Sequence, residues 1–446
     1  MAEAAASGWP EPVVRVQALS ESGAATIPER YVRPEAERPS SAAATVDTDG
    51  GVNIPVVDLS SPGSAATARA VAEACREWGF FQAVNHGVPQ ALLRRARGVW
   101  RGFFHQPMEV KQRYANSPAT YEGYGSRLGV DKGARLDWGD YYFLHVRPPH
   151  LLSYDKWPYL PPDLRETTEE YSREVKGLCE RLMAAMTTGL GVGEGRLQAA
   201  FGGEEGAGVC VRVNYYPRCP QPELTLGLSS HSDPGGMTVL LVDDRVKGLQ
   251  VRRANAWVTV QPVCDAFIVN VGDQIQVLTN AVYRSVEHRV MVNAADERLS
   301  IALFYNPKSD LPVAPLPELV SPERPRLYMP MSFDEYRLYI RRNGPRGKSQ
   351  VDRLAQINKD DKPAGGSDSP LAVASDLLRP SQPHRHHRKD VTDPDHPSAI
   401  HEPRRNTVVD KDPRPPHRLP RRRPRPVVPE PPPRYLRDPL VALFPF

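Results

Sequence analysis

Apolar positions along this chain follow two periods, and each marks a different kind of element. From Arg165 to Leu190, Tyr171, Val175, Leu178, Leu182, Met183 and Met186 recur at helical spacing, which predicts a long helix with one buried stripe. Ala70, Val71, Ala74 and Trp78 predict a second helix over Ala65–Phe80, and a short one is expected near Val14–Ser22. Ser332 followed three residues later by Glu335 is a capping box, and Asn343-Gly344-Pro345 is a stop, so a short helix is expected over Phe333–Arg342. Its buried stripe would be Phe333, Tyr336 and Ile340. Val52–Leu59, Val209–Tyr216 and Leu299–Phe304 are β-rich runs. Together these elements predict a mixed α/β fold that is mainly β.

Strand alternation also reveals polar residues where core-facing positions should be apolar. Arg212, Asn214 and Tyr216 share one face of the Val209–Tyr216 run. Arg298 and Ser300 share a face beside Leu299, Ile301, Ala302, Leu303 and Phe304, where an unpaired arginine would be costly. A guanidinium fork takes a carboxylate bidentately and a hydroxyl adds a donor, a good match for the far end of 2-oxoglutarate. In His231-Ser232-Asp233 the imidazole and the carboxylate would project to one side of an extended strand. Alone, this tripeptide leading into Pro234-Gly235-Gly236 reads as an ordinary turn. With His288 from another strand it becomes a facial triad of two imidazoles and one carboxylate, leaving three coordination positions open for non-heme Fe(II) and oxygen chemistry. A structural zinc site would be closed and richer in thiolate.

Asn214-Tyr215-Tyr216-Pro217-Arg218-Cys219-Pro220-Gln221-Pro222, followed by His231-Ser232-Asp233, His288 and Arg298-Leu299-Ser300, resembles the plant 2-oxoglutarate and Fe(II)-dependent dioxygenase family. Upstream, Trp78-Gly79-Phe80-Phe81-Gln82-Ala83-Val84-Asn85-His86-Gly87-Val88 resembles the N-terminal signature of that family, and the likeness spans roughly residues 10–354. The resemblance implies a double-stranded β-helix, or jelly roll, with Fe(II) on His231, Asp233 and His288. It implies 2-oxoglutarate as co-substrate, its distal carboxylate on Arg298 and Ser300, with Asn214 and Tyr216 as further contacts. O2 would be consumed, ascorbate would serve as reductant, and succinate, carbon dioxide and a hydroxylated small molecule would result.

On the expected helix Phe333–Arg342, Arg337 and Arg341 stack at i,i+4, where like charges repel unless an anion lies between them; a solvated basic face is the other reading. The run Met331–Arg341 together with Gly344–Asp352 is similar to the jasmonate-induced oxygenase branch of the family. That similarity implies hydroxylation of jasmonic acid to 12-hydroxyjasmonate, with the substrate carboxylate on Arg212, Arg337 and Arg341, and with Phe304 and Phe143 along its ring and alkyl chain. Flavonoid- and gibberellin-type oxidases are the alternative branches, and a non-catalytic jelly-roll binder is the alternative class.

Composition adds limits. Of 446 residues, 40% are hydrophobic and 25% charged, as in ordinary globular proteins. Cys75, Cys179, Cys210, Cys219 and Cys264 are scattered, without paired spacing, so reduced thiols in the cytoplasm or nucleus are expected. There is no run of eighteen apolar residues and no charged segment leading into an apolar one at the N-terminus, so neither a membrane span nor a secretory signal is expected.

The chain thus divides into a mobile leader with a short helix (1–52), an N-terminal dioxygenase domain (53–160), a support helix and connector (161–207), the jelly-roll core (208–307), a pocket-covering helix region (308–354) and a tail (355–446). The tail holds 19 of the 47 prolines and six of the twelve histidines, and cannot bury enough apolar surface to offset its ordering entropy, so it is expected to be disordered. Its 17 Lys and Arg against 12 Asp and Glu give +5; since the whole chain carries +4, residues 1–354 carry about −1 and the basic character belongs to the tail. Arg421-Arg422-Arg423-Pro424-Arg425 lacks the interleaved aromatic side chains that stack on bases, so no nucleic-acid partner is expected.

Overall fold

Thirteen strands build two sheets among the described residues: β1 (Thr45–Val46), β2 (Val56–Asp58), β3 (Phe80–Val84), β4 (Gly123–Gly125), β5 (Asp140–Arg147), β6 (Gly208–Tyr216), β7 (Leu228–His231), β8 (Met237–Leu241), β9 (Leu249–Arg253), β10 (Ala256–Thr259), β11 (Phe267–Val271), β12 (His288–Val290) and β13 (Arg298–Asn306). The computed structural model describes residues 9, 11–39, 45–46, 53–129, 132–343, 347, 348, 351 and 355. Apart from Ala355, the Pro/Arg/His-rich tail, expected to be disordered, lies outside the described residues. The larger sheet runs β2-β3-β11-β8-β13-β6-β5-β4 and the smaller β1-β10-β9-β12-β7. Strands of residues 53–160 and of residues 208–307 share the larger sheet, β3 pairing with β11 and β5 with β6. Leu249, Val251 and Val290 of the smaller sheet pack in one cluster with Phe80, Tyr216 and Ile268 of the larger, so the sheets face each other as a jelly roll.

The larger sheet is buried on both faces, which explains its near-continuous apolar strands. Val209, Val211 and Val213 of β6 and Leu299, Ile301 and Leu303 of β13 join the cluster that contains Val175, Leu178, Leu182 and Met183 of the long helix. That helix spans Leu164–Leu190, 27 residues or about 40 Å, and closes at Gly191 in the left-handed region (φ 71°). Its stripe of leucine and methionine is core, filling the outer side of the sheet.

The helix expected over Ala65–Phe80 ends earlier, at Glu77. Gly79 (φ +63°) turns the chain, and a Cβ there would lie 2.1 Å from the Arg284 carbonyl oxygen. Only glycine allows that approach, and Phe80 can then start β3.

Residues 11–39, expected as part of a mobile leader, are instead packed onto the body. Val16, Ile27 and Tyr31 are buried in the cluster that holds Trp138 and Tyr216. The helix Val16–Glu21 begins with its free N–H groups aimed at Asp140: the Val16 and Gln17 amides each donate to that carboxylate at 3.0 Å, and the Tyr124 hydroxyl adds a third bond at 3.2 Å. The Ala/Ser-rich composition conceals these few anchors, whose partner lies more than a hundred residues away. No helix of the described residues is long and apolar enough to cross a membrane.

Replacing Asp140 with Ala should lower stability by about 3 kcal/mol, since hydrogen bonds to a charged group are each worth about 1.5–3 kcal/mol. Denaturant melting together with faster proteolysis near Arg15 checks this; unchanged proteolysis would show that the leader is held without Asp140.

Candidate active site

β6 and β13 run antiparallel with Arg298 opposite Tyr216, Ser300 opposite Asn214 and Ala302 opposite Arg212. Opposed residues share a face, so the alternating polar positions of two separate strands merge into one strip on the inner side of the sheet. In the smaller sheet β12 pairs with β7 and sets His288 opposite His231. Their rings lie 4.2 Å apart between centroids. β7 ends at His231, and Asp233 follows in the buried turn beyond it rather than in the strand itself.

Three donors converge there. The His231 Nδ1 bonds the Ser229 carbonyl at 2.7 Å and the His288 Nδ1 bonds the Val286 carbonyl at 3.2 Å. A carbonyl only accepts, so each Nδ1 carries the proton and each Nε2 keeps a lone pair for a metal. Both Nε2 atoms lie near Asp233 Oδ1, at 3.5 and 3.6 Å, and the ligand atoms of all three residues fall within 4.8 Å of one another. The other Asp233 oxygen accepts from the Thr238 hydroxyl and from Asn270 Nδ2 at 2.8 Å, which turns Oδ1 toward the imidazoles.

Charge in the triad is balanced locally. Burial alone would push the Asp233 carboxyl up, yet His288 and His231 hold it well below the usual carboxylate range. Burial also opposes protonation of His231, but the Asp233 carboxylate outweighs it and raises that imidazole. Burial, with His231 adding to it, brings His288 down to about 4. Protons and a divalent cation compete for the same imidazole lone pairs, so metal affinity falls as pH falls.

Arg298 stands beside the triad, 3% exposed, with its guanidinium 5.4 Å from the Tyr216 ring centroid. Among the described residues its Nε and Nη1 have no hydrogen-bond partner, which leaves this buried guanidinium able to take an anion. Ser300 lines the same cavity. Arg212 Nε donates to Asn214 Oδ1 at 2.7 Å, and its guanidinium lies 4.2 Å over the Tyr141 ring.

Arg337 reaches the cavity from the helix Phe333–Asn343, whose start carries the expected capping box: the Ser332 amide donates to Glu335 Oε2 at 2.9 Å and the Glu335 amide to Ser332 Oγ at 3.2 Å. Arg337 also pairs with Asp334 and donates to Ser309 Oγ at 3.0 Å. Arg341 lies on the same helix, and its side chain is outside the described residues. Phe80, Tyr121, Leu128, Leu240, Leu249, Ile340 and Phe304 make the apolar walls.

Phe143, expected on the wall, is not among the described lining residues. It lies on β5, opposite Arg212 and one strand further from the metal ligands, packed with Tyr141 and Cys210. Asn270 and Thr238 escaped the reading of the sequence although the signal was present. Each is a polar residue on the inner face of a buried strand, in Phe267–Val271 and Met237–Leu241, as Asn214 is in β6.

A triad of two imidazoles and a carboxylate inside a jelly roll, with a buried arginine lining the same cavity, is the arrangement of a mononuclear non-heme metal oxygenase. Residues 207–307 match the 2OG-Fe(II) oxygenase superfamily, and residues 54–162 match a family described as non-haem dioxygenase in morphine synthesis N-terminal. Jasmonate-induced oxygenase 2 of Arabidopsis thaliana is 57% identical over 351 residues, covering 77% of this chain and 93% of the relative. Flavonol synthase/flavanone 3-hydroxylase of Arabidopsis thaliana is 40% identical over 328 residues, covering 73% and 96%. A crystal structure of JOX2 in complex with 2OG, Fe and JA matches with a TM-score of 0.74 at 56% identity, covering 78% of this chain and 100% of that one. The chain belongs to the 2OG-Fe(II) oxygenase superfamily and is a dioxygenase that uses Fe(II) and 2-oxoglutarate.

Asn270→Ala removes one of the two bonds to Asp233 Oδ2 and should weaken divalent-metal affinity by about tenfold, the low end for loss of a residue that orients a ligand. Co(II) titration followed by absorption measures it, and wild-type affinity would show that Thr238 alone suffices. Arg298→Met should raise the KM for 2-oxoglutarate by about tenfold or more, in line with loss of a charged hydrogen bond; steady-state kinetics with unchanged KM would remove Arg298 from that role.

Proposed function

We propose that this chain hydroxylates jasmonic acid to 12-hydroxyjasmonate, in the cytoplasm or nucleus, with ascorbate keeping the metal reduced. The observation that carries the reading is the match, at 56% identity, to the crystal structure of JOX2 in complex with 2OG, Fe and JA, against 40% identity to the flavonoid enzyme. The cavity is consistent with it, since Arg212 and Arg337 line a largely apolar chamber in addition to Arg298 and the triad.

In this reading His231 and His288 hold Fe(II) through Nε2 and Asp233 holds it through Oδ1. When bound, the metal and 2-oxoglutarate supply oxygen-dependent redox chemistry that yields succinate, carbon dioxide and a new hydroxyl group. Arg298 and Ser300 take the distal carboxylate of 2-oxoglutarate, with Asn214 and Tyr216 alongside. Arg212, Arg337 and Arg341 take the carboxylate of jasmonic acid. Several charged donors are needed there, because an anion drawn into an apolar chamber must recover the solvation it loses. The bond from Arg212 to Asn214 fixes its aim, and Phe304, Leu128 and Tyr121 seat the ring and alkyl chain and keep water out.

Incubation of the purified chain with Fe(II), ascorbate, 2-oxoglutarate and jasmonic acid, beside a flavonoid and a gibberellin, should give succinate coupled to hydroxyjasmonate by mass spectrometry. Turnover of another substrate alone would refute the jasmonate assignment. Arg337→Met should raise the KM for jasmonic acid by about tenfold or more while leaving that for 2-oxoglutarate near wild type. His231→Ala should abolish succinate formation.

A further inference from the structure

The triad and the pocket helix meet at a carboxylate that neither uses directly. Asp273 opens the short helix Asp273–Leu278 and is 0% exposed. Its Oδ2 accepts from Ser232 Oγ at 3.1 Å and from the Tyr336 hydroxyl at 2.7 Å. Its Oδ1 accepts from Ser285 Oγ at 2.7 Å and lies 3.7 Å from Lys348 Nζ. Each partner sits beside a working part of the site. Ser232 lies between the ligands His231 and Asp233, Ser285 is three residues before His288, and Tyr336 precedes Arg337. Lys348 follows Gly347, which forms a bridge with His231. The backbone repeats the link, with the Asp273 amide donating to the Asp233 carbonyl at 2.8 Å and the Gln274 amide to the Gly235 carbonyl at 2.9 Å.

A charged group with no exposure is expensive to bury, and a well-packed apolar residue would often stabilise a core as well. What a carboxylate adds is a rigid joint with several fixed directions. We propose that Asp273 is a positioning residue that couples the pocket helix to the metal-ligand loop. One oxygen holds both Ser232 and Tyr336, so a substrate carboxylate that steadies the helix through Arg337 also steadies the spacing of His231 and Asp233. The part of this coupling that runs through Arg337 rests on the substrate reading above. The tie between Asp273 and the ligands does not.

Tyr336→Phe removes one bond to Asp273 at nearly constant shape, and Asp273→Asn keeps the volume while removing the charge. Both full-length variants are titrated with Co(II) by absorption in the absence of any organic substrate, and succinate per hydroxylated product is then measured with jasmonic acid. Both should bind Co(II) about tenfold more weakly than wild type, as expected for loss of a residue that orients metal ligands. Tyr336→Phe should also release severalfold more succinate per hydroxylation, with a Tm within a few degrees of wild type. Should Asp273→Asn fail to fold, Tyr336→Phe decides. Wild-type Co(II) affinity and a wild-type product ratio in Tyr336→Phe would overturn the proposal. If the wild-type chain leaves jasmonic acid untouched, the substrate reading fails, and the Co(II) affinity of Tyr336→Phe still decides the role of Asp273.

Discussion

Burying charge between two apolar sheets is the constraint on which this structure depends. Removing an ion from water costs several kcal/mol unless its bonds are replaced, so each ionisable group inside must be answered by a partner or by a ligand. Asp233 has Thr238 and Asn270 on one oxygen and two imidazoles near the other. Arg298 keeps two nitrogens without a partner among the described residues, in a cavity whose walls are otherwise largely apolar. The pattern of satisfied and unsatisfied groups is therefore suited to a cation at the triad and an anion beside it.

The jelly roll meets this constraint with strands that have two unlike faces. Odd positions of β6 place Val209, Val211 and Val213 in the core cluster that also holds the long helix, while even positions bring Arg212, Asn214 and Tyr216 to the cavity. β13 does the same, with Leu299, Ile301 and Leu303 outward and Arg298, Ser300 and Phe304 inward. A slip of one residue in either strand would send its arginine into the helix layer and an aliphatic side chain to the site. Register, and not fold class alone, is thus what the support helix secures.

Around this core the flanking segments have specific tasks. The N-terminal stretch covers the larger sheet through Val16, Ile27 and Tyr31 and is tethered at Asp140. Near the other end of the described chain, the helix Phe333–Asn343 brings Arg337 to the cavity, and Gly347 and Lys348 return to His231 and Asp273. The substrate side and the metal side of the cavity are consequently linked through buried polar bonds as well as by apolar packing.

Much of this was legible in the residues. The strand period put Arg212, Asn214 and Tyr216 on one face and Arg298 with Ser300 on another, and the helical period located the long helix within one residue of its start. The capping box of Ser332 and Glu335 was written in four consecutive residues. Such features are local, so a sequence by itself determines them. What only the tertiary structure decided was every relation between distant segments. It set His288 opposite His231, gave Asp140 to the helix at Val16, stopped the Ala65 helix where Arg284 crowds Gly79, packed Phe143 with Tyr141 and Cys210, and gathered Ser232, Ser285, Tyr336 and Lys348 at Asp273. Backbone periodicity carries information over a few residues, whereas a buried charge is satisfied by whatever the folded chain brings within 3 Å, and one linear pattern does not record that distance.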